Sequence, residues 1–257
     1  MHEKIITELD KIEKSEDVNI LYAVESGSRA WGFPSKDSDY DVRFIYTRRH
    51  NSYLTIEEDR DVLEYPINDL LDISGWDIRK SLKLFRKSNP PLSEWLISPI
   101  IYIESSEFTN NLRKLHSEYF SPKSCSYHYL SMAKRNYREY MKGDFVKIKK
   151  YFYVLRPVLS CIWIERNGTM PPMEFQKLLE LITEEKELKS EIDTLLERKI
   201  AGEELDMQPA IKIINHFLEG EIKRLESVAQ NIDVTQKPPR KHLDHLFQNT
   251  LDEVWLG

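Results

Sequence analysis

The chain has 257 residues, a formal net charge of −6, 40% apolar residues and 31% charged residues. That length suits one large domain or two modest ones, and the composition is that of a soluble globular protein with enough chain to bury a core. The acidic balance excludes a surface built as a whole to hold polyanions, so any nucleic-acid contact would need a local basic patch.

Met1-His2-Glu3-Lys4 opens a charged, amphipathic segment rather than a signal peptide. Ile5, Leu9 and Ile12 have helical spacing and predict a helix over 2–15. Val18 to Val24 reads as a buried strand that ends at Gly27-Ser28, with a short turn or helix carrying Arg29 to Gly32. Phe33 to Ser38 is a loop punctuated by Pro34. Tyr40 to Tyr46 alternates and is rich in β-formers, which makes it the second strand. Arg48 to Leu54 is loop-like. Val62–Pro66 and Leu70–Ser74 are candidate strands, with Gly75 as a break. Asp77 can cap or open a helix through Leu84 and Phe85, Asn89-Pro90-Pro91 stops it, and Ser93 to Leu96 starts another.

The pattern changes after Pro122. Helices are expected over 125–142, 145–166, 172–200 and 208–231, with Pro171 and Pro172 at a helix start. Lys237 to Lys241 reads as a linker, followed by a short helix ending at Trp255. Cys125 and Cys161 read as two reduced thiols packed in an intracellular protein. No apolar run approaches the roughly 20 residues of a membrane span, so the expected location is cytoplasmic, with no membrane partner. The expected architecture is α+β: a small mixed-sheet domain over 1–121 and an α-helical domain over 122–257.

Gly27-Ser28 followed by Asp39-x-Asp41 carries the chemistry. Carboxylates at i and i+2 of a strand point to the same face and can hold hard divalent cations. A Gly-Ser turn can bring backbone N–H groups against a phosphate. Two simpler readings fail. Gly27-x₄-Gly32 has P-loop spacing, but Phe33-Pro34 stands where Lys-Ser/Thr is required. Asp37-x-Asp39-x-Asp41 opens like an EF-hand loop, but Val42 replaces its glycine and Arg48 its terminal glutamate.

The remaining pattern resembles the DNA-polymerase-β-type nucleotidyltransferase superfamily. More narrowly, several segments resemble the YcgL/RlaP-type nucleotidyltransferase family: Gly27 to Phe33, Ser38 to Arg43, Gly75 to Lys80, Ser88-Asn89-Pro90, Glu94 to Pro99 and Lys149 to Pro157. The resemblance covers about residues 20–170. It implies a polymerase-β-like palm domain in which Asp39 and Asp41 hold two Mg²⁺ ions (or Mn²⁺). One ion would activate the attacking hydroxyl and the other would grip the triphosphate. Gly27 and Ser28 would hold the β- and γ-phosphates, with help from Arg29. A third carboxylate, also a metal ligand and the general base, would come from a later strand. Asp72, flanked by Leu71 and Ile73, is preferred, and Asp77 is the alternative. These carboxylates should converge around one metal-sized gap.

Eight Lys/Arg and two acids lie between Lys134 and Arg156, interleaved with aromatics. Most read as two amphipathic helices with aromatic core faces. Lys150, Tyr153 and Arg156 follow one another at i, i+3 and are expected to form a face that closes over the nucleotide. Arg79, Lys80 and Lys83 read equally well as a solvated face or as phosphate contacts. Residues 180–206 carry ten acids and four bases, a solvated acidic face. The histidines show no metal-ligand spacing with the cysteines.

The resulting expectation is an enzyme that moves a nucleoside monophosphate from an NTP, ATP first, to a hydroxyl acceptor, releasing pyrophosphate. An RNA end ranks first as acceptor because of the basic run and the family's association with RNA ligation and repair. A protein side chain or a small molecule are the others. The rival expectation is an antitoxin-like or regulatory protein that binds a protein partner on the same fold.

Overall fold

The structure is a computed structural model that describes residues 1–66, 70–203, 205–234, 236 and 238–256; Lys237 of the expected linker lies outside them. In chain order the elements are α1 (His2–Glu16), β1 (Val18–Ser26), α2 (Gly27–Ala30), β2 (Tyr40–Arg48), β3 (Val62–Glu64), β4 (Leu71–Asp77), α3 (Ile78–Phe85), α4 (Pro90–Leu96), β5 (Ile101–Glu104) and α5 (Ser106–Tyr119). They continue with α6 (Pro122–Tyr140), β6 (Phe145–Lys147), α7 (Ile148–Asn167), α8 (Phe175–Leu179), α9 (Lys186–Arg198), β7 (Met207–Pro209), α10 (Lys212–Asn231) and α11 (Lys241–Leu256). The fold class is α+β, as expected. Among the described residues no helix is long and apolar enough to cross a membrane.

The chain divides into two compact units. One comprises Met1–Ala30, Asp39–Tyr119 and Gln236–Gly257, and the other Trp31–Ser38 and Phe120–Thr235. This differs from a single cut after residue 121. The last helix returns to the first unit, and the segment between Ala30 and Asp39 belongs to the second.

The first unit is built on a mixed sheet of order β3-β4-β2-β1-β5. β1 runs antiparallel to β2 and β5, β2 runs parallel to β4, and β3 runs antiparallel to β4. Ile5, Leu9 and Ile12 of α1 cover one face, packed with Val42, Phe44, Leu71 and Ile73. The other face buries Leu21, Val24 and Ile45 with α3, α4, α5 and Leu243 and Leu246 of α11. Gly75 does not break the fourth strand, which runs to Asp77. It pairs with Phe44 in register, and a Cβ at position 75 would lie 2.1 Å from the Phe44 ring. The glycine makes room for a ring inside the sheet. Asn89 caps α4, with Pro90 and Pro91 in its first turn, so Asn89-Pro90 starts that helix one turn earlier than expected.

The second unit is helical, and α7 is buried along almost its whole length. Pro157 sits inside it. Proline has no N–H, so the carbonyl of Tyr153, four residues earlier, loses its helical donor. The side-chain amide of Asn136, buried on α6, donates to that carbonyl at 2.9 Å. Three sequence expectations change here. Residues 145–147 are a strand paired with β7, not the start of a helix. The stretch 172–200 is not one helix: it begins at Phe175 and breaks before Lys186, where the Thr183 hydroxyl donates to the carbonyl of Glu180 and competes with the backbone. Pro171 and Pro172 therefore precede the helix rather than start it. The buried Lys199 ammonium donates to the carbonyl of Phe33 at 2.8 Å and the hydroxyl of Ser38 at 3.3 Å, holding the segment 31–38 within this unit.

Asn136→Ala removes that hydrogen bond from a buried position of α6 and is expected to cost about 1–2 kcal/mol in denaturant unfolding. In a Pro157→Ala background the restored N–H replaces the amide, so the same Asn136→Ala change should cost less than half as much. Equal costs in the two backgrounds would disprove the pairing.

Candidate active site

The parallel pairing of β2 with β4 sets Asp41 opposite Asp72. Because strand side chains alternate, Asp41 and Arg43 project from the same face of β2, beside Asp72 on β4. Arg43 joins the two acids. Its Nη2 donates to Oδ2 of Asp72 at 2.8 Å and to Oδ1 of Asp41 at 3.3 Å. Its Nη1 donates to the carbonyls of Val42 and Asp72 at 3.0 and 3.1 Å.

Gly27 closes the other side. Its φ is +65°, in the left-handed region that favours glycine, and a Cβ there would stand 2.0 Å from Oδ2 of Asp41. No other residue leaves space for that carboxylate. Ser28 follows, half-buried, in the single turn of α2. Arg29 reaches back from the same turn. Its Nε donates to the carbonyl of Asp39 at 3.1 Å, and its guanidinium lies 3.6 Å over the Tyr40 ring. Asp39 is exposed at the position just before β2.

Glu25 supports this edge and has no role in the sequence expectations. Its carboxylate is fully buried and accepts the backbone N–H of Asp41 at 2.8 Å and the Tyr102 hydroxyl at 2.5 Å. Its own carbonyl accepts the Ser98 hydroxyl at 2.6 Å. Burial raises the Glu25 carboxyl above its usual range, against the two donors that hold it ionised. A sequence signal existed: an acid closing an apolar run that ends at the Gly-Ser turn.

Asp77 lies at the far end of β4, five residues or about 16 Å of strand from Asp72. It caps α3, accepting from the Arg79 N–H and the Tyr53 hydroxyl at 2.7 Å each. The structure thus brings Asp72, and not Asp77, to Asp41. Among the described residues no three His, Cys, Asp or Glu are grouped around one point. Two meet, with a guanidinium on them. The donor set itself, Asp41 and Asp72 with Asp39 two residues away, consists of hard oxygens of the kind Mg²⁺ takes.

In the helical unit the Lys150 ammonium lies 3.8 Å over the Tyr140 ring and 4.7 Å over Tyr153, and Tyr153 is exposed. Arg156 is not on that exposed face. It is 5% exposed, with its guanidinium 4.6 Å over Trp31, because α7 turns most of its surface into the core. Tyr151 and Phe152 are core residues, as the amphipathic reading of this run expected.

Burial pushes the Asp41 carboxyl up from 3.8 to about 6, against the pull of Arg43. The folded chain then binds this proton more tightly than the unfolded chain. Stability therefore falls as pH rises from about 4 to about 6, and the full cost persists above that. Asp41→Asn removes the cost. Its unfolding free energy should match the wild type near pH 4 and exceed it by about 2 kcal/mol near pH 8. Denaturant unfolding at the two pH values measures the difference, and a variant less stable than wild type at both would contradict it.

The chain is 55% identical over 255 residues to the uncharacterized protein YcgL of Bacillus subtilis (strain 168), a match covering 99% of this chain and 98% of that one. A nucleotidyltransferase-like protein from Exiguobacterium sibiricum 255-15, known as a crystal structure, matches at 13% identity with a TM-score of 0.34, over 88% of this chain and 74% of that one. Residues 1–249 match RlaP, the RNA repair pathway DNA polymerase beta family. By that match and the likeness to YcgL, this chain, with Asp41 and Asp72 side by side and Gly27 packed against them, belongs to the RlaP family.

Proposed function

We propose that this protein transfers a nucleoside monophosphate from a nucleoside triphosphate, ATP first, to the hydroxyl of an RNA end, releasing pyrophosphate. The single observation that carries the reading is the Asp41–Asp72 pair with Gly27 packed against it, in a chain of a polymerase-β-like family. Mg²⁺ (or Mn²⁺) is the proposed cofactor, held by Asp41 and Asp72 with Asp39, and when bound it supplies positive charge to the triphosphate.

The chain's own residues take the remaining roles. Asp72 accepts the proton of the attacking hydroxyl as general base. Gly27 and Ser28 present the turn that receives the β- and γ-phosphates. Arg29, held by the Asp39 carbonyl and the Tyr40 ring, adds a fixed cation beside that turn. Glu25 is a positioning residue that sets the backbone of Asp41.

A polyanionic acceptor has support in the first unit. A cleft of about 540 Å³ is lined by Arg79, Lys83, Arg86, Lys87 and Arg240, with Asp244 as its one acid. Four of the cations come from α3 and the two residues after it, and Arg240, more than 150 residues later and just before α11, adds a fifth that the sequence does not place with them. Arg86 and Lys87 are exposed. A basic cleft suits phosphates in series.

Incubation with each α-labelled NTP, Mg²⁺ and cellular RNA tests the transfer. Label should enter RNA with the wild type and be lost in Asp72→Asn, while NTP binding survives. Label in protein and none in RNA would move the acceptor class. Full transfer by Asp72→Asn would refute the role of Asp72.

The cleft has its own test. Arg86→Glu/Lys87→Glu should weaken binding of a single-stranded RNA oligomer about tenfold and reduce the salt slope of log K by about 1. Fluorescence anisotropy at several salt concentrations reads both. Unchanged affinity and slope would exclude the cleft.

A further inference from the structure

The acid pair is occupied by a side chain of its own strand. Four acceptors on two neighbouring strands hold the Arg43 guanidinium: the carboxylates of Asp72 and Asp41 and the carbonyls of Val42 and Asp72. The Arg43 side chain is 20% exposed and those of Asp41 and Asp72 are 28% exposed, so the group is partly shielded from water. A guanidinium cannot be deprotonated in a protein, so this cation is permanent.

Two carboxylates set opposite each other in register repel. Arg43, lying between them, offsets one of the two charges. It also engages one oxygen of each carboxylate, Oδ1 of Asp41 and Oδ2 of Asp72, for which a divalent cation would compete. The bonds divide cleanly, however. Nη2 binds the carboxylates, and Nη1 binds backbone carbonyls. A cation arriving at the carboxylates need only break the Nη2 contacts, and the Nη1 contacts can keep Arg43 within reach to return.

We infer that Arg43 is an internal cation that occupies the Asp41–Asp72 pair until a divalent ion replaces it, and thereby sets the affinity of the pair for that ion. This rests on the reading of Asp41 and Asp72 as metal ligands. It makes Arg43 a positioning residue, one that holds the acids together in the metal-free enzyme and competes with the metal for them. Binding of the ion frees one positive charge beside the site, where a triphosphate would meet it.

The test is Mn²⁺ binding to the full chain without nucleotide, followed by the electron paramagnetic resonance of free Mn²⁺. In Arg43→Gln a neutral amide replaces the cation, and Mn²⁺ should bind about tenfold more tightly, the scale of one charge-assisted hydrogen bond. Arg43→Lys keeps the charge but loses the fork, so its affinity should fall between the two. Adding Asp72→Asn should remove the tight site from all three backgrounds.

Equal or weaker Mn²⁺ binding in both Arg43 variants, at a site that Asp72→Asn removes, would overturn the competition and leave the metal reading intact. Mn²⁺ binding indifferent to Asp72→Asn in every background would overturn the metal reading itself. Should Arg43→Gln fail to fold without metal, the order of Arg43→Lys and wild type decides alone.

Discussion

Parallel pairing of β2 with β4 places Asp41 beside Asp72 and, at the other end of the same ladder, Tyr46 beside Asp77. One register thereby assigns two aspartates of one strand to two separate jobs. A slip of one residue would turn Asp72 to the opposite face, among Val42, Ile73 and α1. The apolar alternation of both strands opposes that slip, since Val42, Phe44, Leu71 and Ile73 are buried together against Ile5, Leu9 and Ile12. The core under α1 therefore fixes the position of the acids. Gly75 contributes from the same ladder, giving the Phe44 ring the space that a side chain would take.

Electrostatics at this edge is arranged in layers. Glu25, fully buried, holds the backbone of Asp41. Arg43 then bridges Asp41 and Asp72, and Arg29 fastens Asp39 from the other side of the motif. Burial favours a protonated Asp41 and Arg43 favours an ionised one, so the carboxyl is poised between the two states.

Much of this was legible in the sequence. Gly27-Ser28 and Asp39-x-Asp41 could be placed on strand ends by their apolar neighbours, and Asp72 could be preferred over Asp77 because Leu71 and Ile73 flank it. Arg43 was legible in principle, since i, i+2 spacing puts it on the face of Asp41. Glu25 was harder, because its partners Tyr102 and Ser98 come from segments more than 70 residues away. The strand at 145–147 was not legible. Helical propensity is local, whereas β6 depends on β7 some 60 residues later.

The sequence by itself determined the chemical types available, the α+β class and the two ends of the motif, because periodicity and turn residues act over a few positions. The tertiary structure decided which acid joins Asp41 and that Arg43 lies upon the pair. It decided that Arg240, just before α11, joins the cations of the α3 segment at one cleft, and that Asn136 supplies the donor missing at Pro157. Each of these depends on strand register or on packing between segments far apart in the chain, and distances of that kind are set by the packed core rather than by local spacing.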